Sequence, residues 1–150
     1  MNNFRSPEAR NKAVVERYFR EVLDPRKIDT LPELMAPDVV LHRPGFAVMG
    51  VDSAMDRLRS MLRNFVAFHS EVNGLIAEDD LVSVRVTHIT RVRPHMFRSR
   101  AGELWIDKEQ DLTWTAIAQF RLRGGMIVEE WVMRDELGML AQLGAFPAGK

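Results

Sequence analysis

The stretch Gly124-Gly125-Met126-Ile127-Val128-Glu129-Glu130-Trp131-Val132-Met133-Arg134-Asp135 decides the fold. Two glycines between apolar runs signal a two-residue type I′ turn, which needs positive φ at both central positions. A strand follows the turn. Period-two alternation places Ile127, Glu129, Trp131, Met133 and Asp135 on one face, and Val128, Glu130, Val132 and Arg134 on the other. A carboxylate beside Trp and Met is costly to bury unless it is paired or protonated. Asp135 is therefore either the wet end of a strand or part of a site.

Upstream of the turn, Leu104 to Leu122 reads as a long strand region, with Leu112, Trp114, Ala116, Ala118, Phe120 and Leu122 on one face. A two-residue turn pairs Arg123 with Met126. That register sets Ala118 opposite Trp131, Ala116 opposite Met133 and Trp114 opposite Asp135. Small residues across from large ones leave space for a ligand or for helix side chains. The same register turns Gln119 away from the Asp135 face, unless a bulge or a three-residue turn intervenes. Arg93 to Glu103 is basic and contains Pro94 and Gly102; it reads as a loop placed to cover a pocket mouth. Before it, Phe68 to Ala77 and Leu81 to Arg91 read as strands joined near Asp79-Asp80. Val82, Val84, Val86, His88 and Thr90 share one face of the second.

The N-terminal part is helical. Ser6-Pro7-Glu8 is an N-cap with a proline start, and an apolar stripe from Val14 to Leu23 follows until Asp24-Pro25. A short helix at Leu31 to Met35, a strand at Asp38 to His42 and a helix from Gly50 to Phe65, with Asp52 as N-cap, come next. After Asp135 a final helix runs from Glu136 to about Leu143, closed by Gly144. Three helices with one strand among them, then a four-stranded meander, predict an α+β fold. The helices pack on the concave side of a curved antiparallel sheet and leave a cavity between.

A chain of 150 residues is read as a single domain, 1–150, able to bury a core. Lys plus Arg (21) equals Asp plus Glu (21), which argues against nucleic acid as a partner. Without cysteine there is no disulfide and no thiolate metal site, a composition compatible with the cytoplasm, the expected location. The N-terminus lacks the apolar stretch of a signal peptide, and no run approaches the ~20 apolar residues of a membrane span. The four histidines lack metal-ligand spacing, so no metal is expected.

The element order and the ending Glu129-Glu130-Trp131 through Asp135, Gly138, Leu140 and Gln142-Leu143-Gly144 resemble the SnoaL-like polyketide cyclase family, of the cone-shaped NTF2-like barrel superfamily. The resemblance covers nearly the whole chain. It implies a general acid/base role for Asp135 in an intramolecular aldol closure, with no metal or organic cofactor. It implies assistance from a Gln, matched by Gln119, and from a His two residues on, where this chain has Arg121. Arg85-Val86-Thr87 is present, but the Gly-Thr-His that often follows is not; His88 and His95 lie nearby.

An aldol closure needs a base for a proton α to a carbonyl and a donor for the oxyanion. Asp135 serves as that base if apolar neighbours such as Trp131 raise its pKa; as the residue before Glu136-Leu137-Gly138 it is also a good helix cap. His88, at the end of a valine face, replaces the missing helper histidine if that face is concave. His42, Trp114, Trp131 and Met133 are the candidate substrate contacts, each with a structural reading as rim or core. Arg91, Arg93, Arg98 and Arg100 suit an anionic ligand, a solvated loop being the plainer reading. Apolar Ile117, Val128 and Val132 on the outer face predict a homodimer. The expected function is a cofactor-independent cyclase or isomerase on a hydrophobic carbonyl compound. A hydrolase using the same pocket and a non-catalytic binding or scaffold protein are the alternatives.

Overall fold

The computed structural model describes residues 6–146. Helix α1, Pro7–Arg17, starts as the sequence predicts: Ser6 Oγ accepts from the Ala9 amide at 3.2 Å, with Pro7 behind it. The helix does not stop at Arg17 but loosens into a π-helical stretch, Tyr18–Leu23. Tyr18, Phe19, Val22 and Leu23 all face inward there, as the apolar stripe predicts. A 3₁₀ helix, Ile28–Glu33, stands where a short helix over Leu31 to Met35 is expected. Strands β1 (Met35–Arg43) and β2 (Phe46–Met49) form a hairpin, and α2 (Val51–Leu62) follows. The α2 N-cap is Gly50, at φ +87, and not Asp52.

Strands β3 (Phe65–Glu78) and β4 (Leu81–Val92) turn at Asp79-Asp80. The basic segment expected as a loop is a hairpin of its own, β5 (His95–Ser99) and β6 (Gly102–Ile106). Buried Phe97 and Ile106 anchor it to the core. Strands β7 (Gln110–Arg123) and β8 (Met126–Arg134) and helix α3 (Glu136–Gln142) complete the chain. The main sheet runs β2-β1-β8-β7-β4-β3, and β1 lies parallel to β8. The expected antiparallel meander is its β3-β4-β7-β8 part. The whole is a curved, mixed sheet with three α-helices packed against it. Its edges β2 and β3 do not pair, so it is not a closed barrel.

The Gly124-Gly125 turn forms as predicted, at φ +58 and +78, and Arg123 pairs with Met126. The register then departs from the simple alternation. Leu122 pairs with Ile127, but Arg121 pairs with Glu129, leaving Val128 as the extra residue of a β-bulge. Beyond a one-residue bulge every side chain changes face. Gln119 therefore faces Trp131, Ala118 faces Val132 and Ala116 faces Arg134. Glu130, Val132 and Arg134 turn to the concave side, and Trp131 and Met133 to the outside. This corrects the expected inward placement of Trp131 and Met133, the latter now 66% exposed, and the expected outward placement of Val132.

The core lies between the concave face and the helices. Val84, Phe120 and Ile127 of the sheet meet Val15, Phe19 and Leu58 from above. Each such side chain contributes about 1.5–3 kcal/mol by leaving water. Alternation in β7 is unbroken from Leu112 to Leu122, so this strand forms the floor of the site.

Candidate active site

A cavity of about 590 Å³ opens between the concave face, the π-helical stretch, α2 and the tip of the β5–β6 hairpin. That volume is in the usual range for pockets that enclose small organic molecules. The space exists because the floor carries Ala116 and Ala118 where larger residues would fill it. One wall is aromatic, from Phe19, Phe68, Trp114 and the imidazole of His88. The facing wall is polar, from Tyr18, Arg43, Arg57, Glu130, Arg134 and Glu136.

His88 lies on β4 opposite Trp114 and is 8% exposed. Its ring centroid is 5.1 Å from those of both Phe68 and Trp114. Nδ1 is 3.0 Å from Ser70 Oγ, which fixes the ring, and Ser70 is itself held by its amide donating to Asp24 Oδ2 at 2.9 Å. Nε2 has no partner among the described residues. Burial lowers the His88 pKa from 6.5 to about 4, and the Asp24 charge offsets only part of that. At neutral pH the imidazole is uncharged, with one nitrogen free for a ligand.

This has a measurable consequence. The unfolded chain takes up a proton at this histidine near pH 6.5, and the folded chain only near pH 4. The unfolded state thus binds more protons in that window, and stability falls as pH drops through it, by about 3 kcal/mol. Urea unfolding at pH 7 and at pH 4.5 should show this loss in the wild type. His88→Phe should remove this part of the pH dependence.

Glu130 is 1% exposed and sits at the inner end of the polar wall. Its Oε2 accepts from Arg43 Nη2 at 3.1 Å; its other oxygen has no partner among the described residues. Burial disfavours the Arg43 charge, but Glu130 and Tyr18 together outweigh it and hold the guanidinium pKa above its usual value. Burial, then the nearby Glu130 charge, pushes the Tyr18 pKa well above the usual phenol range. Tyr18 therefore stays a hydrogen-bond donor. Nearer the mouth, Arg134 donates from Nε and Nη2 to Glu136 Oε1 at 3.1 and 2.9 Å.

The model of the family described as "SnoaL-like polyketide cyclase" matches residues 13–143. The chain belongs to the SnoaL-like polyketide cyclase family. Among solved structures, a SnoaL-like protein from Jannaschia sp. CCS1 is 23% identical with a TM-score of 0.79, over 95% of this chain and 98% of that one. AclR from Streptomyces galilaeus gives 20% identity and a TM-score of 0.74 over 93% and 99%. An LEH-like epoxide hydrolase from M. tuberculosis gives 18% and 0.70 over 91% and 90%. At these identities the likeness establishes the shared NTF2-like fold. No curated protein matches the chain significantly.

Of the residues that the sequence and the SnoaL-like resemblance single out, His88 and Trp114 line the cavity. Arg98 and Arg100 of the basic segment line it too, whereas Asp135, Gln119, His42, Trp131 and Met133 lie outside its lining. Asp135 is exposed and caps α3, with Oδ1 accepting from the Gly138 amide at 2.8 Å. Gln119 is on the outer face, where Nε2 donates to Ser83 Oγ at 3.2 Å. His42 stacks on Trp131 with ring centroids 5.3 Å apart, and its Nε2 meets Glu129 Oε1 at 2.8 Å. Arg121 lies over the same Trp131 ring. Met133 faces out beside Ile117. The bulge does bring Gln119, Trp131 and Met133 to one face, but to the convex one. The cavity residues missed by sequence reasoning are Tyr18, Arg43, Arg57, Glu130, Arg134 and Glu136. Glu130 alone carried a signal, as the second acid of Glu129-Glu130-Trp131. Among the described residues, no group of three His, Asp or Glu side chains is placed to hold a metal ion, and no helix is long and apolar enough to cross a membrane.

Proposed function

We propose that this chain is a cofactor-independent cyclase or isomerase that works by proton transfer on a hydrophobic carbonyl compound, with His88 as the acid/base group. The observation that carries the proposal is a buried imidazole, its pKa lowered by burial, whose Nε2 has no partner among the described residues, at a cavity wall of Phe19, Phe68 and Trp114. In the proposed step His88 Nε2 takes a proton from the carbon α to a carbonyl. The enolate closes on a second carbonyl carbon, and the imidazolium returns the proton to the new alkoxide. Atoms balance without a co-reactant. A base of pKa about 4 is strong enough, since a carboxylate of pKa about 4.6 does comparable work in an apolar site. Tyr18 and the arginines opposite supply donors for the oxyanion. Asp135 is assigned to capping α3.

One observation favours hydrolysis as a second reading. One Glu130 oxygen has no partner among the described residues while Arg43 holds the other, an arrangement able to orient an attacking water. Hydrophobic diketones and epoxides screened for thermal stabilisation, then for turnover, separate the readings. Conversion of a diketone supports the first, conversion of an epoxide the second, and tight binding with no conversion supports a binding protein.

We also propose self-association through the outer sheet face, where Ile117 and Met133 are 52% and 66% exposed side by side. Sedimentation should give a homodimer at tens of micromolar, an association of about −6 kcal/mol. A monomer at that concentration contradicts it.

A further inference from the structure

The polar wall of the cavity carries more positive charge than it neutralises. Five arginines line the cavity in all, and three of them have carboxylate partners. Arg43 meets Glu130 at 3.1 Å, Arg134 meets Glu136 at 2.9 Å, and Arg98 meets Glu103 at 2.8 Å. Arg57 and Arg100 have none among the described residues. Arg57 extends from α2 with its guanidinium over the Phe46 ring, 5.0 Å from the centroid. Arg100 comes from the turn of the β5–β6 hairpin and lies against Gly45. Both line the cavity and both are exposed, so they stand on its open side, one from α2 and one from the hairpin turn. Burial, then the like charges of Arg43 and Arg134, lower the Arg57 pKa, so an anion bound beside it would be favoured. A solvated arginine serving solubility alone has no reason to line a cavity beside two others.

We infer that the ligand of this cavity is an amphipathic monoanion, whose ring body lies against Phe68 and Trp114 and whose carboxylate is held at the mouth by Arg57 and Arg100. The inference rests on the proposed function only in taking this cavity as the ligand site. Guanidinium groups suit a carboxylate because their paired N–H donors match its two oxygens. The aromatic wall supplies affinity without charge, and the arginines select among hydrophobic carbonyl compounds those that carry an acid. An acid anchored at the mouth also fixes which end of the molecule reaches His88. That makes Arg57 and Arg100 specificity-determining residues for the proposed chemistry.

The test is a pair of probes with one ring system, anthraquinone-2-carboxylate and anthraquinone-2-carboxamide, titrated by calorimetry against the wild type, Arg57→Gln, Arg100→Gln and the double variant. The carboxylate should bind the wild type at least tenfold more tightly than the carboxamide. Each single substitution should cut that preference, and the double should bring it below about twofold with carboxamide affinity unchanged. Raising salt from 50 to 500 mM should weaken the carboxylate alone, as an ionic contact requires. Equal wild-type affinity for the two probes, carboxylate binding weaker than millimolar, or a preference that survives in the double variant would overturn the inference. No turnover is read, so the outcome is independent of the role of His88.

Discussion

Glu130→Gln should destabilise the protein by about 3–5 kcal/mol, measured by urea unfolding at pH 7. The substitution keeps the side-chain volume but deletes a negative charge in a side chain only 2% exposed. Arg43, itself 19% exposed in its side chain, is then left with an uncompensated charge against Tyr18. An unpaired buried charge costs far more than the pair contributes. The companion variant makes this checkable. Replacing both partners together, Glu130→Gln with Arg43→Met, should recover most of the loss, because no buried charge remains. If the double variant is no more stable than Glu130→Gln, the pair is not coupled as described. The pair sits at the junction of β1 and β8, the parallel contact that joins the β1–β2 hairpin to the sheet. Its loss should therefore loosen that edge first, with amide exchange rising in β1 before it rises in β7.

The second large effect is on catalysis. Once a converted compound is in hand, His88→Gln should lower kcat by ~10²–10⁴, the usual contribution of a positioned acid/base group. Gln still bonds Ser70 and still fills the wall, so ligand affinity should change less than threefold. Asp135→Asn is the control. Asn caps a helix nearly as well as Asp, so neither stability nor turnover should move appreciably. A large loss in Asp135→Asn with little in His88→Gln would return the acid/base role to the strand end.

How far the sequence could be read depends on where its periodicities stay in phase. Strand β4 pairs with β7 without interruption from Leu81 to Val92, so alternation alone grouped His88 with the valines and Trp114 with the alanines, on what the structure shows to be the concave face. The Gly124-Gly125 turn was equally legible, because a type I′ turn restricts its residues so sharply. The failure begins three residues later. Ile127-Val128-Glu129-Glu130 carries two apolar residues and then two acids, so either phase puts one of each on both faces. Only the bulge at Val128 decides between them, and nothing in the local composition marks it. That single extra residue hid Glu130 and Arg134 from a reading by alternation and offered Trp131 and Met133 instead. Tyr18 was legible as part of the buried stripe from Val14 to Leu23, but helical spacing alone does not show that its hydroxyl meets a cavity. The parallel pairing of β1 with β8 joins segments about 87 residues apart in the chain, as in the His42–Glu129 contact, and local patterns do not encode it. The β5–β6 hairpin was hidden by its arginines, whose long side chains snorkel to the mouth while Phe97 sinks inward.

The central claim is that His88 is the proton acceptor in this cavity. The pH dependence of kcat/KM tests it most directly, since that profile reports the essential groups of the free enzyme. Initial rates should be taken on a converted substrate immediately after jumps from pH 7, so that slower acid unfolding does not intrude. The account predicts full activity through pH 6.5 and an acid limb with its midpoint near pH 4, the value to which burial lowers this imidazole. A midpoint at the ordinary histidine value near pH 6.5, or a profile with no acid limb down to pH 3.5, would contradict it.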